Sequence, residues 1–139
     1  MKISIINGPN LNLIGTREPE IYGHISLDEY LKAIISKYTD IDFTLFQSNI
    51  EGELINEIQQ QGVDADMIII NAGGYTHTSI AIADALKAVN TNIIIEVHIS
   101  NIFAREPYRR ESKISEACTG SISGLGLKGY ELAIDYLQV

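Results

Sequence analysis

Residues Met67–Asn71 of this 139-residue chain have the sequence MIIIN. Four apolar side chains in succession are typical of a strand that is covered on both faces, because a strand with one face in water alternates apolar and polar residues. Four further strands are predicted. Two precede it, at Lys2–Ile6 and Ile41–Phe46, and two follow it, at Ile93–Val97 and Cys118–Ser123. A buried strand of this kind favours a parallel sheet with helices on both sides.

Helical signals separate the predicted strands. Ser26–Glu29 and Ser48–Glu51 fit the capping-box pattern, which predicts helices that begin there and run to about Tyr38 and to Gln61. Gly62 follows the second helix, as is typical of a helix C-terminus. Two more helices are predicted, from Thr78 to about Val89 and over Leu127–Leu137.

Five strands alternating with helices predict an α/β fold with a doubly wound parallel sheet. For five strands we expect the flavodoxin-like order 2-1-3-4-5. The length is that of one domain, so residues 1–139 are predicted to form a single catalytic domain.

Three loops are expected at the carboxyl edge of this sheet, where ligands bind in such folds. The first, Asn7–Gly23, has the sequence NGPNLNLIGTREPEIYG and is far longer than an ordinary strand-to-helix connection. Its length and its apolar residues predict a functional lid rather than a solvated linker. The other two loops are Asn71–His77 and the arginine-rich His98–Ser112.

Charge and composition narrow the range of partners. The net charge of −8 argues against nucleic acid and against anionic membranes. The single cysteine, Cys118, rules out an intramolecular disulfide and is predicted to be a buried apolar residue of the fifth strand. The sequence shows neither a charged-then-apolar leader nor an apolar run of 18 residues, so a soluble, cytoplasmic protein is expected.

All arginines of this acidic chain fall in two of the predicted loops. Arginine suits planar anions such as carboxylates, so the clustering predicts a site for a small anion. The alternative is that they are ordinary surface charges. The four residues are Arg17, Arg105, Arg109 and Arg110.

Glu96 and His98 stand two positions apart at the end of the fourth strand and therefore face the same side. One interpretation is a carboxylate that fixes the imidazole of a general acid or base. The other is a structural polar pair that closes the strand. Function is favoured, because buried acids are rare unless they are paired.

Two further side chains admit two interpretations each. His77 either binds a substrate or caps the helix that follows it, and a zinc site that combines it with His98 fits no compact metal motif. Tyr22 is either a core tyrosine of the first loop or a base whose pKa is lowered by Arg17 and a second arginine.

The segment Gly124–Gly129, GLGLKG, fits a dinucleotide-binding pattern but follows the last strand. We interpret its glycines as turn and close-packing positions.

In this order the motifs resemble those of type II 3-dehydroquinate dehydratase, and the resemblance covers essentially the whole chain. The segments that carry it are NGPNLNLIGTREPEIYG, NAGGYTHTSIAIADAL, EVHISNIFAREPYR and GLGLKGYELA. The resemblance implies a flavodoxin-like subunit that converts 3-dehydroquinate to 3-dehydroshikimate and water through an enolate, without metal or coenzyme. This step serves the shikimate pathway, in aromatic amino acid biosynthesis, or quinate degradation.

The resemblance also implies roles for individual residues. Tyr22 would remove a C2 proton, with Arg17 lowering its pKa and Asn10 helping to hold the enolate through a water. His98 would protonate the departing C1 hydroxyl, oriented by Glu96.

Binding roles follow from the same resemblance. The ring hydroxyls would contact Asn71, His77 and Arg109, and the backbone of Ile99 and Ser100 would hold the carboxylate. Asp84 would reach the site of a neighbouring subunit within a dodecamer built from trimers. The chain departs from the usual family pattern in two places, at Phe103 and at the pair Arg110–Glu111, where histidines are common.

Two rival functions belong to other classes. A non-catalytic module that binds a small carboxylate would not need Tyr22 together with Glu96 and His98. A flavin- or nucleotide-binding protein of the same fold would carry a bound chromophore after purification.

Overall fold

A computed structural model of the chain describes residues 1–16, 20 and 24–138. Its five strands are Lys2–Asn7 (β1), Asp42–Gln47 (β2), Met67–Asn71 (β3), Ile93–His98 (β4) and Gly120–Ser123 (β5). The α-helices within the described ranges are Leu27–Ile35 (α1), Glu51–Gln61 (α2), Ile80–Ala88 (α3) and Lys128–Asp135 (α4). Short 3₁₀ turns connect them, mostly on the carboxyl side of the sheet.

The strands form one parallel sheet in the order β2-β1-β3-β4-β5. The prediction of a doubly wound, flavodoxin-like sheet is therefore confirmed. In the register, Asn7 of β1 lies beside Asn71 of β3. Their side chains consequently leave the sheet on the same face and at the same edge.

Successive residues of each central strand point to opposite faces of the sheet, and each face has its own apolar core. On one face, Ile3, Ile5, Ile69 and Val97 pack with Leu31 of α1 and Tyr130 of α4. On the other, Ile6, Ile68, Ile70 and Ile94 pack with Leu54 and Ile58 of α2 and Ile82 and Leu86 of α3. By the same alternation, Glu96 and His98 continue the row of Ile94 and belong to the face that α2 and α3 cover.

The predicted helix starts are only partly confirmed. Ser26 caps α1, and its hydroxyl accepts the Glu29 N–H at 3.1 Å. Ser48 does not cap α2 as predicted, because the helix begins two residues later, at Glu51, with Ile50 as its N-cap. The Ser48 hydroxyl instead accepts the Ile50 N–H at 2.9 Å and donates to the Glu53 carboxylate.

Other predicted boundaries shift by a few residues. The third helix begins at Ile80 rather than Thr78, because the Ser79 hydroxyl accepts the Ile82 N–H at 2.9 Å and caps it. The first helix ends at Ile35, before Tyr38, and the last one at Asp135, with a 3₁₀ turn after it. The fifth strand begins at Gly120, so Cys118 precedes it and is only half buried. Burial, with a smaller effect of the Glu96 charge, raises the pKa of the Cys118 thiol to about 12.

Glycines allow the loops after β1 and β3 to pack backbone against backbone. A Cβ added to Gly8 would overlap the Ala72 carbonyl, and the Gly8 N–H donates to the Asn71 carbonyl at 2.7 Å. Gly73 has a φ of +59° and faces the Pro9 carbonyl. This contact fixes the distance between two of the loops that were expected to form a site.

No helix of the described ranges has the length and apolar character required to span a membrane.

The variant Gly8→Ala is expected to lose about 1–3 kcal/mol of unfolding free energy, because its methyl group has no space beside the Ala72 carbonyl. Gly52→Ala is the matched control, since its added Cβ meets no atom within 4 Å and lies in the first turn of α2. Urea unfolding at one protein concentration measures both variants. Equal stability of the two variants would contradict the close approach of the loops.

Candidate active site

A cleft that is open to solvent, with a cavity volume of about 120 Å³, lies beyond the carboxyl ends of β1, β3 and β4. All three sequence-predicted loops contribute to it. The residues that line it are Pro9, Asn10, Leu11, Leu13, Ile14, Asn71, Gly73, Gly74, His77, His98, Ile99, Ser100, Ile102, Arg105 and Arg109.

Glu96 and His98 form the predicted pair at the end of β4. The His98 Nε2–H donates to Glu96 Oε1 at 2.5 Å, and neither side chain is more than 5% exposed. Because Nε2 is committed to the carboxylate, the ring nitrogen left for a ligand in the cleft is Nδ1. The arrangement is that of an imidazole whose orientation and tautomer are set by a buried carboxylate.

Two serine hydroxyls complete the surroundings of Glu96. Ser112 Oγ donates to Oε1 at 2.7 Å, and Ser115 Oγ donates to Oε2. Burial raises the pKa of the carboxyl, but the hydrogen bonds from His98 and the two serines outweigh it, and the pKa of Glu96 lies below its ordinary value. The side chain is therefore a buried carboxylate at neutral pH.

The ring of His77 faces the ring of His98 in the cleft. The two rings are nearly parallel, with their centroids 6.4 Å apart. A carbonyl oxygen only accepts, so His77 Nδ1–H donates to the Glu111 carbonyl at 2.8 Å. Of the two interpretations of His77, the one in which it caps the following helix is wrong, because Ser79 caps that helix. This hydrogen bond is made by the main-chain carbonyl of Glu111. It therefore does not depend on the side chain at position 111, where the sequence departs from the pattern that it resembles.

Asn10 lines the cleft from the first loop in a left-handed conformation, with a φ of +69°. Asparagine tolerates this conformation better than most residues, and such backbone often marks a functional position. Its N–H donates to Asn49 Oδ1 at 3.0 Å, and its carbonyl accepts the Leu13 N–H at 3.0 Å. These bonds hold the backbone and leave the side chain at the cleft wall.

Asn71 lies at the floor of the cleft and is buried. Its Nδ2–H donates to the Tyr130 hydroxyl at 3.1 Å, and its Oδ1 accepts the Gly73 N–H at 3.2 Å. The Tyr130 hydroxyl in turn donates to Asn7 Oδ1 at 2.6 Å. Complete burial raises the pKa of Tyr130 far above its usual value, so the phenol is a neutral link between the two strands.

The clustered arginines divide into two groups. Arg105 and Arg109 line the cleft and are partly exposed, whereas Arg110 is exposed and is not a lining residue. Arg105 donates to Ser100 Oγ at 3.2 Å, and Arg109 Nε donates to Glu106 Oε2 at 2.6 Å. The arginine-rich loop therefore brings two guanidinium groups to the cleft, and both are paired with Glu106.

The ends of β4 and β5 hold the backbone at Ile99 and Ser100. The Ile99 carbonyl accepts the Gly126 N–H at 3.0 Å, and the Ser100 carbonyl accepts the Ser123 hydroxyl at 3.3 Å. Gly124 and Gly126 have φ of +86° and +62° in this turn, which agrees with their interpretation as turn positions.

Not every predicted site residue is in the cleft. Asp84 is exposed on α3 and does not line it. Phe103 is 60% exposed on the loop after β4. Arg17 and Tyr22 lie outside the described residues. Within the part of the chain that the structure describes, no group of three or more His, Cys, Asp or Glu side chains is placed to hold a metal ion.

Sequence reasoning missed Ser112, Ser115 and Tyr130, and it treated Arg105 only as one of the clustered arginines. A buried carboxylate needs more than one donor, so the prediction of a buried Glu96 was the signal that could have directed attention to hydroxyls in the adjacent loop. No comparable signal pointed to Tyr130, which reaches the site from the last helix.

The chain was compared with known families and proteins. The family model described as dehydroquinase class II matches residues 1–138. A 3-dehydroquinate dehydratase of Fusobacterium nucleatum is 54% identical over an alignment of 142 positions, which covers 99% of this chain and 96% of the relative.

Solved structures agree with the family match. A type II dehydroquinase from Butyrivibrio crossotus has a TM-score of 0.95 and 46% identity, covering 100% of this chain and 98% of its own. One from Propionibacterium acnes has a TM-score of 0.92 and 42% identity, covering 98% and 94% of the two chains.

Replacement of the buried carboxylate by Glu96→Gln is expected to lower the unfolding free energy by about 2 kcal/mol at neutral pH, because three donors lose a charged acceptor. The pKa of Glu96 is lowered in the folded protein, so its contribution is present above about pH 4.3, the ordinary value, and is lost as the pH falls through the folded-state pKa.

The difference in stability between wild type and Glu96→Gln should therefore shrink below about pH 4. Denaturant unfolding at several pH values measures it, with Asp40→Asn, at an exposed position before β2, as the control. A difference that stays constant down to pH 3 would show that Glu96 is not held ionised.

Proposed function

The chain belongs to the class II dehydroquinase family, and from this membership we propose that it dehydrates 3-dehydroquinate to 3-dehydroshikimate and water. The single observation that carries the proposal within the site is the Glu96–His98 pair. It is a buried carboxylate bonded to an imidazole that lines the solvent-open cleft. A module that only binds a carboxylate has no need of such a pair.

The reaction begins with removal of a proton beside a ketone. We assign this step to Tyr22 as its phenolate, with the Arg17 guanidinium lowering its pKa by direct charge attraction. The electron pair of the broken C2–H bond becomes the enolate. Asn10, whose backbone is fixed by Asn49 and Leu13, supplies a positioned amide for the enolate oxygen through a water.

The second half of the reaction breaks the C1–O bond. His98 in its doubly protonated form gives the Nδ1 proton to the departing hydroxyl, which leaves as water, and the enolate electrons form the new double bond. The Glu96 carboxylate balances the positive charge of the ring before transfer and keeps Nε2 protonated throughout. Glu96 therefore acts by positioning His98.

Substrate binding is assigned to the same loops. Asn71, His77 and Arg109 contact the ring hydroxyls, and the backbone at Ile99 and Ser100 holds the carboxylate. Asp84, exposed and outside its own cleft, is proposed to complete the site of a neighbouring subunit in a dodecamer of four trimers. We further propose that residues 1–139 act as one catalytic domain and that the enzyme works in the cytoplasm.

The lysines support the enolate route over a Schiff base, in which a lysine amine forms an iminium with the ketone. All six lysines lie in the described ranges, and none lines the cleft. Each forms an ion pair with a carboxylate at 2.5–3.0 Å. A charged lysine at the surface is a poor nucleophile, because only the neutral amine attacks a carbonyl.

The proposed function is tested by mixing the purified protein with 3-dehydroquinate and recording the ultraviolet absorbance of the conjugated enone. Absorbance should rise with wild type and stay at the background rate with Tyr22→Phe, because only the proton acceptor is lost. Substrate binding by the variant, measured by calorimetry, should be largely retained. Near-wild-type turnover by the variant would refute the role of Tyr22, and no turnover by wild type would refute the proposed function.

Borohydride added together with 3-dehydroquinate should neither inactivate the enzyme nor leave a covalent adduct, because an enolate route forms no reducible iminium. Mass spectrometry of the intact chain and of its peptides is the measurement. A substrate-dependent mass increase on any lysine would overturn the enolate mechanism even if the overall reaction were correct.

A further inference from the structure

We propose that Ser112 and Ser115 are positioning residues for the dehydration, which hold the Glu96 carboxylate so that His98 presents a protonated Nδ1 to the substrate. The inference rests on the proposed function, because it concerns how the acid of that reaction is prepared. Neither serine lines the cleft.

The two serine hydroxyls donate to different oxygens of the Glu96 carboxylate. Ser112 Oγ is 2.7 Å from Glu96 Oε1, the oxygen that also accepts the His98 N–H, and Ser115 Oγ donates to Oε2. Both oxygens of a side chain with no exposed surface are thereby hydrogen-bonded. Because each donor is a neutral hydroxyl, the site gains stabilisation of the negative charge without adding a positive charge that would compete with His98 for it.

The direction of the Ser112 hydroxyl is set by its second bond. The Ser115 N–H donates to Ser112 Oγ at 3.1 Å and occupies a lone pair of that oxygen. A hydroxyl has a single proton, so the Ser112 proton is left for Glu96. The two serines therefore act as one unit, in which the backbone of the second orients the side chain of the first.

The segment that carries them is fixed at two points between the serines. The Ile114 side chain is fully buried in the core that α2 and α3 cover, the same face to which Glu96 points. The Lys113 N–H donates to the Thr76 carbonyl at 2.8 Å and ties the segment to the loop after β3. The hydroxyls are consequently held by the fold rather than by the carboxylate they contact.

The proton on His98 depends on this arrangement. An ionised Glu96 can only accept, so Nε2 must carry a proton and Nδ1 is the nitrogen that exchanges one with the substrate. A neutral Glu96 could instead donate to Nε2, which would place the proton of a neutral ring on Nδ1 and remove the charge that stabilises the doubly protonated ring. The serines favour the first state, because their protons face both carboxylate oxygens.

Other titratable groups face Glu96 from neighbouring elements. They are His98 on the same strand, Cys118 after the turn that contains Ser115, and His77 beyond the His98 ring. Burial and the Glu96 charge raise the pKa of the Cys118 thiol, so the thiol stays neutral across the working range.

The kinetic test compares wild type with Ser112→Ala, Ser115→Ala and the double variant. Each single change should lower kcat about ten-fold and the double change about a hundred-fold, with KM within a factor of two, because a hydrogen bond to a charged group is lost at a residue that does not touch the substrate. The pH at which the Glu96 carboxyl takes up a proton, followed by ¹³C NMR, should rise by about one unit in the double variant, since two donors to the carboxylate are removed.

Isosteric substitutions separate the hydroxyl from the side-chain volume. Ser115→Thr should keep the pH at which Glu96 is protonated and at least a third of kcat, whereas Ser115→Val, which has the shape of threonine without a hydroxyl, should behave like Ser115→Ala. Ser36→Ala, which removes a hydroxyl at the end of α1 far from the cleft, should match wild type. Equal loss in the threonine and valine variants, or an unchanged protonation of Glu96 in the double variant, would overturn the inference and leave a structural role.

An NMR measurement that needs no turnover distinguishes a failure of this inference from a failure of the proposed function. The chain has three histidines, so selective ¹⁵N-histidine labelling allows the His98 ring nitrogens to be followed by NMR. The wild-type spectrum should show Nε2 protonated and bonded to the carboxylate, and the pH at which the His98 signals report protonation of Glu96 should be about one unit higher in the double variant. The same His98 spectrum in both would overturn the inference, and wild type without dehydratase activity would overturn only the proposed function.

Discussion

The negative charge of Glu96 is the constraint on which the chemistry of this site depends. A carboxylate without solvent contact is stable only if the protein replaces the water it has lost, because an unpaired buried charge costs several kcal/mol. Here an imidazole and two hydroxyls make that replacement, and all three come from β4 and the segment that follows it. The negative charge lies in the interior, and it acts on the cleft through the hydrogen bond that orients the His98 ring.

The fold makes this arrangement possible through the register and alternation of the parallel strands. The side chains of β4 alternate between the two cores, so residue 96 points into the α2–α3 face while its neighbours Ile95 and Val97 pack on the other. Ile114, in the same α2–α3 core, places the serines beside it. A shift of β4 by one residue would move Glu96 to the opposite face, away from both serines.

The pattern of the sequence was sufficient for the strands and for the pairing of Glu96 with His98, because both depend on a period of two and on short-range signals. The sheet order followed from the fold class that the alternation of strands and helices indicates. Helix ends were less predictable. Ser48 matched a capping box, but its hydroxyl bonds the Ile50 N–H and the Glu53 carboxylate, and a local pattern does not distinguish these partners. Gly62 ends α2 as expected but has an ordinary helical φ of −64°; its lack of a side chain is required instead by the close approach of Val89.

The supporting residues of the site were beyond sequence reasoning for a different reason. Ser112 and Ser115 lie 16 and 19 residues from Glu96, and Tyr130 lies 123 residues from Asn7. A serine in a polar loop and a tyrosine in a helix have no local feature that tells which distant group they contact. Such contacts are decided by tertiary packing, which a single sequence does not encode in any periodic form.

Tyr130 shows how such packing fixes the floor of the cleft without any charge. The Gly73 N–H can only donate, so the Asn71 atom that faces it must be Oδ1, and Nδ2 therefore faces Tyr130. The phenol oxygen accepts that bond, and its only proton is left for Asn7 Oδ1. At each hydrogen bond only one assignment of donor and acceptor is possible, so the orientation of the Asn71 amide is set by a backbone N–H two residues away.

The cleft is thus bounded by a neutral hydrogen-bond network on the α4 face of the sheet and by an ionised one on the α2–α3 face. Because the neutral network exchanges no proton near pH 7, the proton transfers that we propose for the described part of the site are confined to the His98 side.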